Sequence, residues 1–262
     1  MRIALGIEYD GAPFNGWQIQ PGLPTVQGVL EEAMRRFAGE GVPVATICAG
    51  RTDTGVHATG QGVHVDVPIR RAEHSWVRGV NAFLPPAVAV RWAREVDDSF
   101  SARFSASERT YEYWIVNDPV RVPTLAGRAG WCFRPLDEER MAQAAAALLG
   151  THDFTSFRAS ECQAKSPVRT LKEVSVRREG RLIRVRLRAD AFLQHMVRNI
   201  VGSLIYVGTG REPVEWLREV LEARDRSQAA PTFDPSGLYL TGVTYIGHDV
   251  PQSGASPFPV HE

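Results

Sequence analysis

Lysine is nearly missing from this chain. Of its 30 basic residues only Lys165 and Lys172 are lysine, and the rest are arginine. Net charge is missing too, since 30 acidic residues balance the 30 basic ones. No global field therefore announces a polyanionic partner, and any such contact must be built locally. The arginine excess has two readings: a GC-rich coding sequence, or a demand for planar donor forks that match phosphate oxygens and stack on bases. Cysteine is scarce as well. Cys48, Cys132 and Cys162 are odd in number and form no Cys-x-x-Cys pair. That argues against a disulfide framework or a zinc ribbon and fits a reducing compartment. No apolar run reaches the roughly 18 residues needed to span a membrane. Glu8 and Asp10 interrupt the apolar N-terminal stretch, which reads as a strand, not a signal peptide. A soluble, cytoplasmic protein is expected.

Familiar cofactor motifs are also lacking. G-Q-G at 60–62 and G-T-G at 208–210 miss the third glycine of a dinucleotide fingerprint. There is no phosphate-binding loop and no G-x-S-x-G elbow. The seven histidines are scattered, with no H-E-x-x-H pair, so no metal is expected. The chemistry left over needs neither a metal nor a cofactor.

What is present is an alternation of strands and helices with several hairpin neighbours. Residues 2–9, 44–48, 62–67 and 87–96 read as strands, and 25–38 and 74–84 as helices. Thr25 is a candidate N-cap ahead of a Val26, Val29, Leu30, Ala33 and Phe37 stripe. The pattern restarts near 105. Strands are expected at 109–117, 171–178, 181–193 and 238–246, and helices at 137–149, 194–207 and from Pro213 to about Arg224. This predicts an α+β protein with largely antiparallel sheets. Its expected parts are domains at 1–105 and 106–248 and a loose proline-containing tail at 249–262. The similar element order of the halves hints at duplication.

The sharpest feature is Gly50-Arg51-Thr52-Asp53-Thr54-Gly55-Val56-His57-Ala58. Glycines bracket Asp53, so the backbone can take conformations closed to other residues and approach a ligand closely. The plain alternative is a tight loop in which Asp53 caps a turn. This stretch resembles the catalytic signature of the tRNA pseudouridine synthase A family. Further motifs follow in the family's order: Y-D-G-A-P-F-N-G-W-Q-I-Q at 9–20, F-S-A-R-F-S-A at 100–106, R-T-Y-E-Y at 109–113, F-L-Q-H-M-V-R-N-I-V-G at 192–202 and G-L-Y-L at 237–240.

The resemblance implies two similar α/β domains flanking a basic cleft, usually in a homodimer. The implied activity is conversion of uridine to pseudouridine at positions 38, 39 and 40 of the tRNA anticodon stem-loop. Asp53 matches the family's essential aspartate, and Tyr111 the tyrosine that stacks on the target base. Arg198 matches the basic residue that pairs with the aspartate, and Leu238 an aliphatic residue of the pocket. Read without the family, Tyr111 and Leu238 are equally core residues, and Arg198 a surface arginine at a helix start.

The chemistry suits these residue types. A carboxylate can attack, remove a sugar proton or stabilise positive charge on the sugar, and sequence does not choose among these. Arg51 is a second cation near Asp53. Alternation at 184–189 puts Arg184, Arg186 and Arg188 on one face, suited to tracking phosphates or simply facing water. Phe14, Trp17 and Gln18, in a glycine-rich loop, are further candidates for RNA contact, although Trp17 also suits packing. Two other readings stay open: a non-catalytic RNA-binding module, and a glycosidase, which needs a second carboxylate about 5–10 Å from the first.

Overall fold

A computed structural model of the chain describes residues 1–39, 41–251 and 254–259. Among them are ten β-strands and five α-helices, with mostly antiparallel pairing: an α+β fold. By internal contacts the chain divides into two units. One joins Met1–Arg109 to Tyr239–Pro257, and the other joins Thr110–Leu238 to the residues from Phe258 onward.

In the first unit β1 (Arg2–Tyr9) lies between β4 (Val88–Val96) and β3 (His57–Asp66), antiparallel to both. The short β2 (Thr46–Cys48) extends β3. β10 (Leu238–Thr244) runs parallel to β3, with Tyr239 opposite His57. Ile3, Leu5 and Ile7 of β1 are fully buried, which makes it the centre of the core. α1 (Val26–Ala38) starts where Thr25 Oγ1 accepts the Gly28 N–H, and it buries Val26, Leu30, Ala33 and Met34. Its buried Glu31 carboxylate accepts the Thr46 N–H and hydroxyl at 2.8 and 2.9 Å, fixing the start of β2. α2 (Glu73–Asn81) packs Trp76 against Phe37 of α1.

The second unit orders its strands β5 (Glu108–Asn117), β9 (Leu182–Ala189), β8 (Val168–Glu179) and β7 (Gly150–Asp153), with β6 (Gly130–Cys132) parallel to β5. β9 alternates as its sequence requires: Ile183, Val185, Leu187 and Ala189 are fully buried. α3 (Glu138–Ala146) is capped by Asp137, whose side chain accepts the Arg140 N–H. α4 (Met196–Gly208) is buried on nearly every side, as expected for a helix apolar all round. α5 (Trp216–Ala223) ends with Arg224 in the left-handed region.

The departures from the sequence pattern have local causes. β6 and β7 are three and four residues long, too short for a period-two signal. α2 stops at Asn81, where the Asn81 amide turns aside to bond the Val90 N–H and carbonyl. β3 begins at His57, five residues earlier than its alternation shows, because polar Gln61 faces inward there. The expected looseness of 249–262 fails where the structure describes it. Val250 is buried, Gly254 N–H donates to the Thr241 carbonyl at 2.8 Å, and Thr59 Oγ1 donates to Ala255. Residues 252, 253 and 260–262 lie outside the described residues.

At the edge of the first unit Arg2 binds Asp66 through two parallel hydrogen bonds, 2.8 and 2.7 Å, and also donates to the Phe100 carbonyl. The guanidinium holds the Asp66 carboxyl below its ordinary range. Because the folded value is the lower one, this stabilisation is complete above the usual aspartate range and is lost as pH falls through the folded value. Asp66 is exposed, so solvent screening leaves about 0.5–1 kcal/mol. Asp66→Asn is expected to cost that much in urea unfolding at pH 7, and the gap from wild type should close in acid. A gap constant down to pH 2 would disprove the linkage.

Candidate active site

Asp53 sits half-buried in the turn between β2 and β3, closed by the Val56 N–H donating to the Asp53 carbonyl at 3.1 Å. Gly55 takes a φ of 76° there, a conformation that favours glycine. The turn is held from several sides. The Gln61 amide donates to the Gly50 carbonyl at 2.6 Å and to Tyr9 Oη at 3.4 Å. Arg109 donates twice to the Ala49 carbonyl, at 3.3 and 3.0 Å. Tyr9 Oη and Thr52 Oγ1 share a buried 2.8 Å hydrogen bond, and the Trp17 N–H donates to the Thr52 carbonyl. Gly11 N–H donates to His57 Nδ1 at 3.0 Å. A Cβ on Gly11 would stand 2.0 Å from the Val56 carbonyl oxygen, so only glycine allows this approach. The His57 ring in turn stacks on Tyr239 at 4.6 Å. Asp53 is therefore carried on a stiff loop, with exposed Arg51 two residues before it.

Tyr111, Arg198 and Leu238 all lie in the second unit. Tyr111, on β5, is 8% exposed and sets its ring edge-on to Phe192 at 5.0 Å, just ahead of α4. Arg198 lies in the first turn of α4. Its Nε donates to the Phe233 carbonyl at 2.8 Å, and the Phe233 N–H donates back to the Arg198 carbonyl. The segment from Ala230 to Gly237 is sewn to both neighbours. Buried Asn199 accepts from Thr232 at 2.6 Å, Ser203 accepts from Ala230, and Tyr113 Oη donates to the Asp234 carbonyl. That seam delivers Leu238, 6% exposed, beside the strand that carries Tyr111. His195, immediately before α4, has a φ of 62°, an uncommon conformation for histidine that aims the helix start.

The remaining residues singled out from sequence fall in other settings. Phe14 and Trp17 are both buried, so neither presents an open ring face, and Trp17, its ring 6.0 Å from that of Tyr9, supports the loop. The reason is that Trp17 is anchored through its main chain to Thr52. Gln18 is exposed. Arg184, Arg186 and Arg188 do share one face, but they are paired. Arg184 and Arg186 reach the buried Glu112 carboxylate at 3.7 and 3.1 Å, and Arg186 and Arg188 reach Glu173 at 3.0 and 3.1 Å. The face is an ion-pair ladder in which Arg186 and Arg188 keep about a third of their side chains exposed.

Sequence reading missed Gln61, Tyr9 and Arg109 as supports of the loop. Gln61 gave no sign, because it stands just ahead of the alternation at 62–67. Arg109 had none, because its contacts join segments 60 residues apart. Among the described residues no three His, Cys, Asp or Glu side chains are grouped as metal ligands, and no helix is long and apolar enough to cross a membrane. The three cysteines are free thiols.

Comparison with known proteins bears on the same regions. The profile of the family described as tRNA pseudouridine synthase matches residues 6–105 and 144–246. A protein of Paraburkholderia phymatum named tRNA pseudouridine synthase A is 57% identical over 260 residues, 98% of this chain and 97% of its own length. A Burkholderia vietnamiensis protein of the same name is 59% identical over 245 residues, covering 94% of this chain and 90% of the relative. One from Bordetella petrii is 57% identical over 244 residues, with 93% and 91% covered. Stiff Asp53 loop, profile match and near full-length identity agree, and the chain belongs to the tRNA pseudouridine synthase family.

Proposed function

We propose that this protein isomerises uridine to pseudouridine at positions 38, 39 and 40 of the tRNA anticodon stem-loop, with Asp53 as the central catalytic group. The observation that carries this reading is the pinned loop. Gln61, Arg109, Tyr9 and Trp17 all spend hydrogen bonds on the main chain or the threonine beside Asp53. That much support for one half-exposed carboxylate is a feature of groups that must meet a substrate in fixed geometry.

The reaction breaks the N1–C1′ bond of uridine, turns the uracil and joins C5 to the same C1′. A proton leaves C5 and N1 gains one, so the product is an isomer. Asp53 acts on the sugar, by attack at C1′ or by removal of a sugar proton, or it acts by holding the charge that cleavage leaves there. Tyr111 stacks on the uracil and moves a proton. Arg198 supplies positive charge to offset the carboxylate, its guanidinium oriented by the Phe233 carbonyl. Leu238 excludes water, and Arg51 and Gln18 contact RNA. The target base must leave its stack, at a cost of a few kcal/mol that stacking on Tyr111 helps to offset. Homodimerisation belongs to the same reading and rests on the family resemblance, whereas a cytoplasmic setting rests on the scarce, unpaired cysteines that fit a reducing compartment.

Nucleotide-resolution mapping of pseudouridine in tRNA is the decisive measurement. Asp53→Ala is expected to abolish product at all three positions while melting temperature and tRNA affinity persist. Product at the wild-type rate would leave only an RNA-binding role. Tyr111→Phe should stay folded and lose most turnover, and full activity would remove the proton transfer. Gln61→Leu takes from the Gly50 carbonyl the amide that binds it, while Tyr9 keeps Thr52, and is expected to cost about 1–3 kcal/mol of stability. Its kcat should fall more than its tRNA affinity. Equal losses in both would show that Gln61 only maintains the fold.

A further inference from the structure

Phe104 is a large apolar side chain that the fold leaves almost bare: 81% of its surface is exposed. It projects from a turn that is itself well tied. The Ser105 N–H donates to the Ser101 carbonyl, the Phe104 N–H to Ser101 Oγ, and the Ser101 N–H to Ser105 Oγ. Arg103 is also exposed and lays its guanidinium over the Phe104 ring, 5.2 Å from the centroid. Burying neither member of such a pair gives the isolated protein little.

The turn is stapled to the Asp53 loop. A single atom, Nη2 of Arg109, donates to the Ala49 carbonyl at 3.0 Å and to the Arg103 carbonyl at 2.9 Å. The two oxygens are thus no more than about 6 Å apart. Arg109 Nη1 adds a bond to the Ala106 carbonyl. Arg51 belongs to the same neighbourhood. Burial pushes the Cys48 thiol up to about 12, and the charges of Arg51 and Arg103 both act against that rise. Around the base of the Asp53 loop the fold thus sets two exposed arginines and one bare aromatic ring.

We propose that the Arg103–Phe104 turn is an RNA-binding element of this site, with Phe104 stacking on an unpaired base next to the uridine being isomerised. The inference rests on the reading of the Asp53 loop as the catalytic loop. Charge complementarity selects the occupant. A ring covered by Arg103, on a turn tied to the loop that carries Arg51, suits a base whose own phosphates meet those cations. The turn around it, Ser101, Arg103 and Ser105, is polar, whereas the contact core between two protein copies is depleted in charge.

The test is the affinity of an unmodified tRNA transcript for wild type, Phe104→Ala and Phe104→Trp, measured at one fixed salt concentration. Because the ring is exposed, neither substitution should move the melting temperature. Phe104→Ala is expected to weaken binding about 5- to 150-fold, the range seen when one base–aromatic stack is removed. Phe104→Trp should stay within about twofold of wild type. Affinity does not require turnover, so this result is separate from the Asp53→Ala result that tests the catalytic reading. Sedimentation of wild type and Phe104→Ala reads the competing occupant, a second copy of the chain. An unchanged affinity in Phe104→Ala, a tryptophan variant as weak as alanine, or a shift of the alanine variant to a smaller species would each overturn the proposal.

Discussion

The hydrogen bonds that Gln61 and Arg109 give to residues 49 and 50 are the constraint on which the first unit depends. Main-chain carbonyls at the end of a short strand would ordinarily turn to water. Here they are taken up by an amide from β3 and a guanidinium from the start of β5. A charge-assisted hydrogen bond of this kind is worth about 1.5–3 kcal/mol, more than a neutral one. Its larger effect is geometric. With that flank held, and the other fixed where His57 accepts the Gly11 N–H at the start of β3, the turn around Asp53 loses its freedom during folding, and none of that entropy has to be lost again when substrate binds.

The second unit solves the same problem by other means. Its candidate residues come from a strand, a helix start and a strand start. The segment 230–238 passes Arg198 on its way to Leu238; it has little regular structure, satisfies its backbone through Ser203, Arg198 and Tyr113, and ties its Thr232 hydroxyl to Asn199. Asn199 is fully buried, so each of its bonds is costly to break. Placing Arg198 in the first turn of a nearly all-apolar helix leaves its backbone no room to drift. Its head group then takes direction from the Phe233 carbonyl.

Much of this was legible in sequence. Strand β9 and helices α1 and α4 carry strong period-two or period-3.6 patterns, and Thr25 and Asp137 cap where their residue types say they should. The Asp53 loop stood out through its glycines. What could not be read was which polar residues turn inward. Gln61 broke the alternation of β3 because it serves the loop. Glu112 is hidden under Arg184 and Arg186, although a glutamate in R-T-Y-E-Y gives no sign of burial. Phe14 and Trp17 share a glycine-rich loop that looks exposed in a string, yet they close the core beneath Thr52. Local pattern reports periodicity, and these choices are set by partners far away in the chain.

The arginine excess can now be divided by use. Arg2 closes a strand edge on Asp66, Arg178 holds Glu138 and the Leu136 carbonyl, and Arg184, Arg186 and Arg188 neutralise Glu112 and Glu173. Arg109 binds three carbonyls of its own unit. A lysine, with one compact charge and no fork, cannot replace any of these two-sided contacts. Much of the cationic charge is thus paired with carboxylates or bonded to backbone carbonyls within the fold. A protein with no net charge has no global field with which to collect RNA, so its exposed arginines act locally, and Arg51 and Arg103 are the ones that stand beside the Asp53 loop. Recognition then depends on fit at short range, where stacking and shape decide, more than on attraction to any polyanion.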